Sequence, residues 1–199
     1  ADWPAVEVLA DAHSLIARAD LDLVVIASPN DSHHPLAHAA LMAGRNVVVD
    51  KPFTLTLAQA RELAALAQAR GRLLSVFHNR RWDGDFLTLR ALVEQGELGR
   101  IVHLESAFDR YRPVVRDRWR ESAEPGAGLW FDLGPHLLDQ ALQLFGTPQA
   151  IALDQAVLRD GGRCDDWFQA RLRYPGRRVV LRASMLAAAA SPRFVVHGT

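Results

Sequence analysis

Lysine is almost missing from this chain: among 23 basic residues, Lys51 alone is not arginine. Cysteine is as scarce. Cys164 stands by itself, which excludes an internal disulfide and suits a reducing cytoplasm. Neither charge is in excess, since 23 acidic residues balance the 23 basic ones. A protein that binds nucleic acid or an anionic membrane carries a basic patch or stripe, so neither partner is expected. No apolar run approaches the length of a membrane span. The opening "ADWPAVEVLA" lacks the basic start and apolar stretch of a secretory signal, and it lacks an initiator methionine. A cytoplasmic location is the expectation.

What is present is enough apolar sequence, 49% of 199 residues, for one large domain or two small ones. Two halves read differently. In residues 1–78, the runs "DLVVIAS", "NVVVD" and "LLSVF" are unbroken and apolar. Such runs suit strands buried on both faces of a parallel sheet. Between them lie "HHPLAHAALMAG" and "TLAQARELAALAQARG". The second opens with Thr56 and places Gln59 three residues on, a capping-box pattern, and ends at Gly71. Strand, helix, strand, helix, strand predicts part of a doubly wound α/β domain.

From residue 79 the pattern changes. "DGDFLTLRALVEQGELG" predicts a helix with glycine stops. "IVHLESAFD" alternates, with Val102, Leu104, Ser106 and Phe108 on one face. "WFQARLRY" and "RVVLRASM" flank a predicted turn at Pro175–Gly176, and "RFVVHGT" begins another strand. No crossover helices separate these late strands, so an open, mostly antiparallel sheet is expected, with one helix over roughly residues 126–145. The run Ala187–Ser191 reads as a loop or strand edge.

Three constellations carry possible chemistry. "ASPNDSHHP" follows a buried strand, and ligands of open α/β sheets bind beyond the carboxyl ends of strands. Ser28, Pro29, Asn30 and His33 could therefore line a cofactor edge; a turn capping the next helix reads equally from these residue types. His34 and His38 are four apart, as helical metal ligands can be, but no acidic partner is evident and a solvated face is the plainer reading. "DKP" also ends a strand: Pro52 turns the chain away and projects Lys51, with Asp50 beside it. Lysine's compact ammonium shifts its pKa more readily than a guanidinium does, which suits proton handling, although one lysine could survive by chance. In "GLWFDLGPHLLDQAL", Asp132 and His136 are four apart and Asp139 is three further on, all on one helix face. A histidine beside a carboxylate is an acid/base candidate; an ordinary ion pair is the alternative, and a metal site is not expected.

The order of these pieces resembles the Gfo/Idh/MocA oxidoreductases, relatives of glucose–fructose oxidoreductase and inositol dehydrogenase. The supporting stretches are "SPNDSHHPLAHAALMAGRNVVVDKP", "EQGELGRIVHLES", "GAGLWFDLGPHLLD" and the closing "VVHGT". The resemblance implies a partial Rossmann-like dinucleotide-binding domain over 1–78 and a partial substrate and oligomerisation domain over 79–199. It implies NAD or NADP as cofactor, a sugar or polyol as substrate, and homo-oligomers formed through the open sheet. By the same resemblance Lys51, Asp132 and His136 are catalytic, while Ser28, Pro29, Asn30, His33, Asp50 and Lys51 face the cofactor. Asp50 replaces the family's usual glutamate. Arg112, Arg116 and Trp119 in "RYRPVVRDRWRE", with Asp139, are further candidates for the substrate side, and a solvated loop reads at least as well for the first three. The family's glycine-rich loop does not occur in these 199 residues. An internal piece of a longer protein is therefore expected. Two other classes remain open: a non-catalytic nucleotide or sugar sensor on this fold, and an inactive piece that only dimerises.

Overall fold

In the computed structural model, residues 3, 5–189 and 191–199 are described; parts of the opening stretch (1, 2 and 4) and Ala190 of the alanine run lie outside them. The chain divides into two compact units, Ala1–Phe77 and His78–Thr199. Among the described residues, no helix is long and apolar enough to cross a membrane.

The first unit contains α1 (Ala12–Ala17), β1 (Leu23–Ile26), α2 (His33–Met42), β2 (Asn46–Asp50), α3 (Leu57–Arg70) and β3 (Leu74–Phe77). The strands form a parallel sheet in the order β1-β2-β3. Thr56 caps α3 as its sequence predicts: Gln59 N–H donates to Thr56 Oγ1 at 3.2 Å, and Gln59 Oε1 accepts from the Thr56 amide at 3.2 Å. Gly71 closes the helix in the left-handed region at φ 60°, where a side chain would be strained. Val24, Ile26, Val47 and Val49 pack against Ala37, Ala40 and Leu41 of α2 and Leu63 and Ala67 of α3. The alanines of α2 let the helix approach the sheet closely.

One expectation needs correction. The strands are buried on one face, not two: Val25 is 63% exposed and Phe77 52%. The reason is handedness. Parallel crossovers are right-handed, and with strands in the order β1-β2-β3 both crossover helices fall on the same face. A run of valines does not reveal which of its two faces receives a partner.

The second unit contains α4 (Gly84–Glu94), β4 (His103–Asp109), α5 (Leu129–Phe145), β5 (Ala150–Ala156), β6 (Trp167–Tyr174), β7 (Arg177–Ser184) and β8 (Phe194–His197). The sheet order is β5-β6-β7-β4-β8, antiparallel except for the β4–β7 pair. The hairpin turn falls at Pro175–Gly176 as predicted. The apolar stripe Leu129, Leu133, Leu137 and Ala141 of α5 packs on Phe168, Ala170, Leu172, Val179, Leu181 and Ala183. β4 alternates as read through Leu104 and Ser106, both buried, but the pattern breaks at Ala107, which is buried although the alternation puts it on the opposite face. Among the described residues the opposite face carries no helix, and it forms a shallow concavity of about 640 Å³, lined in part by Ile151, Arg171, Arg173, Arg178 and Val180.

Candidate active site

The carboxyl ends of β1 and β2 lie side by side, because the two strands pair in parallel with Ile26 opposite Val49. Beyond β1 the chain turns through Pro29 into a single 3-10 turn, Asn30–Ser32. Ser32 closes that turn, its amide donating to Pro29 O at 3.0 Å and its hydroxyl at 2.6 Å. The Ser28 and Ser32 hydroxyls are also hydrogen-bonded to each other. Pro29 is exposed, Ser28 half-buried and Asn30 buried. Beyond β2, Asp50 Oδ1 accepts the Lys51 backbone N–H at 2.8 Å, and the Lys51–Pro52 peptide is cis.

His33 connects these two strand ends. It is 1% exposed. Its Nδ1 lies 2.8 Å from Pro52 O and its Nε2 lies 3.0 Å from Ser28 O. Carbonyl oxygens only accept, so the imidazole N–H is the donor in this bracket. His33 was expected at the cofactor edge; both its nitrogens are instead turned to the chain's own backbone, and it acts there as a bracket. His33→Leu should remove the ring that lies between Pro52 O and Ser28 O and lower stability by about 1–3 kcal/mol. Urea denaturation checks this, and an unchanged midpoint would remove the bracket. On the outer surface of α2, His34 and His38 do have an acidic neighbour: Glu62 of α3, at 3.1 and 3.7 Å. Sequence spacing could not show it, since Glu62 comes from another helix. Among the described residues, no group of three such side chains is arranged to hold a metal ion.

In the second unit, α5 presents its polar stripe in the order Asp132, His136, Asp139, Gln140. The helix begins at Leu129, after Gly128 at φ 98°. A Cβ on Gly128 would come 2.1 Å from Asp165 Oδ1, so glycine is required there. Asp165 caps the helix across that gap, with Oδ2 accepting from Trp130 N at 2.6 Å. Burial holds the Asp165 carboxyl above its usual range. Asp132 follows in the first turn, where an acidic group suits the helix dipole. Arg110 Nη1 is 4.0 Å and Arg120 Nε 3.7 Å from its carboxylate. His136, one turn further along, is 5% exposed. Asp139 receives the Arg81 fork at 2.7 and 2.6 Å, with His78 Nε2 at 4.0 Å. Gln140 donates to Arg80 O at 2.8 Å and accepts from Arg193 Nη2 at 2.6 Å. Burial pushes the Arg193 guanidinium down to about 10.

The remaining sequence candidates lie between β4 and α5. Arg112 is tied by its backbone: its N–H donates to Met185 O at 2.7 Å, and its carbonyl accepts from Arg159 Nη1 at 3.1 Å. The Arg116 N–H donates to Glu121 Oε2 at 3.0 Å. The Trp119 ring carries the Arg120 guanidinium 4.3 Å above its centroid. Beneath this segment is a buried ionic knot. Arg159 reaches Glu121 at 3.1 Å and Asp166 at 3.0 Å, with all three side chains at most 5% exposed. Glu121 is desolvated, yet the Arg116 amide and the Arg118 and Arg159 guanidiniums outweigh that and hold it below the usual carboxylate range.

Sequence reasoning missed Arg110, Arg120, Arg81 and Arg159. Arg110 did leave a signal. It directly follows β4 as Lys51 directly follows β2, and strand ends are where side chains are projected from a sheet. Arg81 and Arg120 sit in short 3-10 turns and Arg159 in a bend, none long enough to leave a periodicity to read.

Two family models match the chain. Residues 1–78 match an oxidoreductase family with an NAD-binding Rossmann fold, and residues 86–199 match the GFO/IDH/MocA C-terminal domain. The chain is 59% identical to the uncharacterized oxidoreductase YdgJ of Escherichia coli, over all of this chain and 58% of that one. It is 36% identical to scyllo-inositol 2-dehydrogenase (NADP(+)) IolW of Bacillus subtilis, over 99% of this chain and 55% of that one. A solved Yersinia pestis protein, 57% identical, superposes with a TM-score of 0.92 over 99% of this chain and 56% of its own. The chain thus spans a little over half the length of these relatives. With a parallel Rossmann-like sheet followed by a mostly antiparallel one, and both family models matched in order, the chain belongs to the GFO/IDH/MocA oxidoreductase family.

Proposed function

We propose that this chain carries the proton-handling and substrate-binding part of an NAD- or NADP-dependent dehydrogenase acting on a CH–OH group of a sugar, cyclitol or related polyol. The observation that carries the reading is the Asp132–His136 pair on the opening turns of α5, in a family whose other domain here holds the chain's sole lysine at a parallel strand end. In this reading, residues 1–78 serve the dinucleotide and residues 79–199 the substrate. The strand ends fit a nicotinamide nucleotide: exposed Pro29 and half-buried Ser28 and Asp50 present a small polar edge beside Lys51. When bound, the nicotinamide accepts or gives the hydride.

The chain's own residues manage the proton. Lys51 places positive charge by the substrate hydroxyl and favours its deprotonation, and His136 takes the proton. Asp132 orients His136 or the substrate and offsets the charge that His136 gains. Arg112, Arg116 and Trp119 lie on the loop that precedes α5 and are assigned to the substrate side. Asp139 is assigned to positioning instead, since Arg81 occupies both its oxygens. The test is nicotinamide absorbance with a panel of sugars and cyclitols, using this chain extended to the length of its relatives. Reduction with at least one polyol is expected; none with either cofactor would overturn the assignment.

Self-association belongs to the same reading. The uncovered face of the second sheet mixes Ile151 and Val180 with arginines, and a broad open face of this kind suits a second copy. Light scattering on the chain should give at least a dimer, and a clean monomer at high concentration would count against it.

A further inference from the structure

We infer that the substrate carries an anionic group, a carboxylate or a phosphate monoester, held by Arg110 and Arg120 beside Asp132. This rests on the dehydrogenase reading and narrows its substrate class. The segment 110–120 holds five arginines and one acidic residue, Asp117. One of these guanidiniums is paired within the loop, and another arginine is fixed only through its backbone. Arg118 is engaged by Glu121 at 2.6 Å, and Arg112 is tied into the loop by its backbone. The Arg116 side chain is exposed to solvent. Asp117 is fully exposed and lies 3.6 Å from Arg163. Glu121 and Asp166 are committed to Arg159. The acid beside both Arg110 and Arg120 is Asp132, at 4.0 and 3.7 Å. Two guanidiniums therefore share one carboxylate, and neither is within close hydrogen-bond distance of it.

Arg110 makes this imbalance costly. Its side chain is only 29% exposed. Burial, and then Arg112 nearby, hold its guanidinium below its ordinary value; Asp132 opposes them, and Arg80 and Arg118 add to the positive field. A desolvated cation in such a field is relieved by an anion. Arg120 is held ready, since stacking on Trp119 fixes the plane of its fork. A carboxylate or phosphate accepts such a fork with two parallel hydrogen bonds, whereas a neutral hydroxyl offers no charge. Asp132 is one helical turn from His136, so the anion would be anchored next to the group that handles the proton.

The test uses the 199-residue chain without nicotinamide. D-glucuronate, D-glucose 6-phosphate and D-glucose are titrated by ligand-detected NMR at low and high salt. At least one anionic sugar should bind about tenfold or more tighter than glucose, and salt should erode the difference. The preference should vanish in Arg110→Gln/Arg120→Gln, with thermal unfolding confirming that the variant is folded. Arg120→Lys, at the more exposed position, keeps the charge but not the fork and should lose part of it. Glucose binding as tightly as both anions would overturn the inference, as would a preference that survives the double substitution, or no anionic sugar bound at about 20 mM. Inorganic phosphate or NADPH binding at these arginines while neither anionic sugar binds would assign them to another phosphate source. Glucuronate binding without turnover in the extended chain would sink the dehydrogenase and spare the anion site; turnover of neutral polyols alone would do the reverse.

Discussion

His136→Ala in the extended chain is expected to lower turnover by about 10²–10⁴-fold, with nicotinamide affinity nearly unchanged. The side chain is 5% exposed on the polar stripe of α5, so in the proposed mechanism its removal takes away a buried base rather than a mobile surface group. The split between turnover and affinity is the informative part. A histidine that merely supported the fold would damage both together, or would lower the unfolding midpoint. Lys51→Arg is expected to be nearly as damaging although it keeps the charge. A guanidinium spreads its charge over a wide planar fork where the mechanism calls for a compact ammonium, and Lys51 sits on a strand end fastened by Asp50 and Pro52. Full turnover in Lys51→Arg would remove the lysine from the chemistry. Full turnover in His136→Ala would remove the proposed mechanism altogether.

Arg159→Met should lower unfolding stability by about 3–5 kcal/mol. Arg159 is 3% exposed and is the cation between two carboxylates that are 5% and 1% exposed. Without it, Glu121 keeps Arg118, but Asp166 keeps only the amides of Leu158 and Arg159. Burying that carboxylate without a counter-charge is what makes the loss large. The loop carrying Arg112 should loosen with it, because its carbonyl loses the same guanidinium. Urea denaturation gives the first number, and amide exchange across residues 112–121 gives the second. A loss below about 1 kcal/mol would make the knot incidental to stability.

Spacing alone made the shared face of α5 legible. Asp132, His136 and Asp139 share a face because three- and four-residue intervals must do so in a helix. It did not show that Asp139 is claimed by Arg81, which lies 58 residues earlier and comes from a short 3-10 turn. Apolar runs revealed the parallel strands of the first unit, but not that their second face is uncovered. Alternation placed β4 correctly, while its parallel pairing with β7 was invisible, since no local pattern encodes a partner so distant in sequence. His33 shows the same limit at one residue. A histidine turned toward a ligand and one turned toward two carbonyls read identically until the neighbouring strand is in place.

The position of β4 has a consequence for how the second unit assembles. Among the described strands β4 is the first of that sheet to leave the ribosome, yet its two neighbours, β7 and β8, are made after β5 and β6. While β5 and β6 are being made, β4 has two bare edges and α5 lacks most of the floor it packs on. Contacts this distant in sequence are slow to form, and unpaired edges invite other chains. The first unit pairs each strand with the next and faces no such delay. The interval between synthesis of β4 and of β7 is therefore when this protein is most exposed to aggregation, and when a holding chaperone would gain most from meeting it.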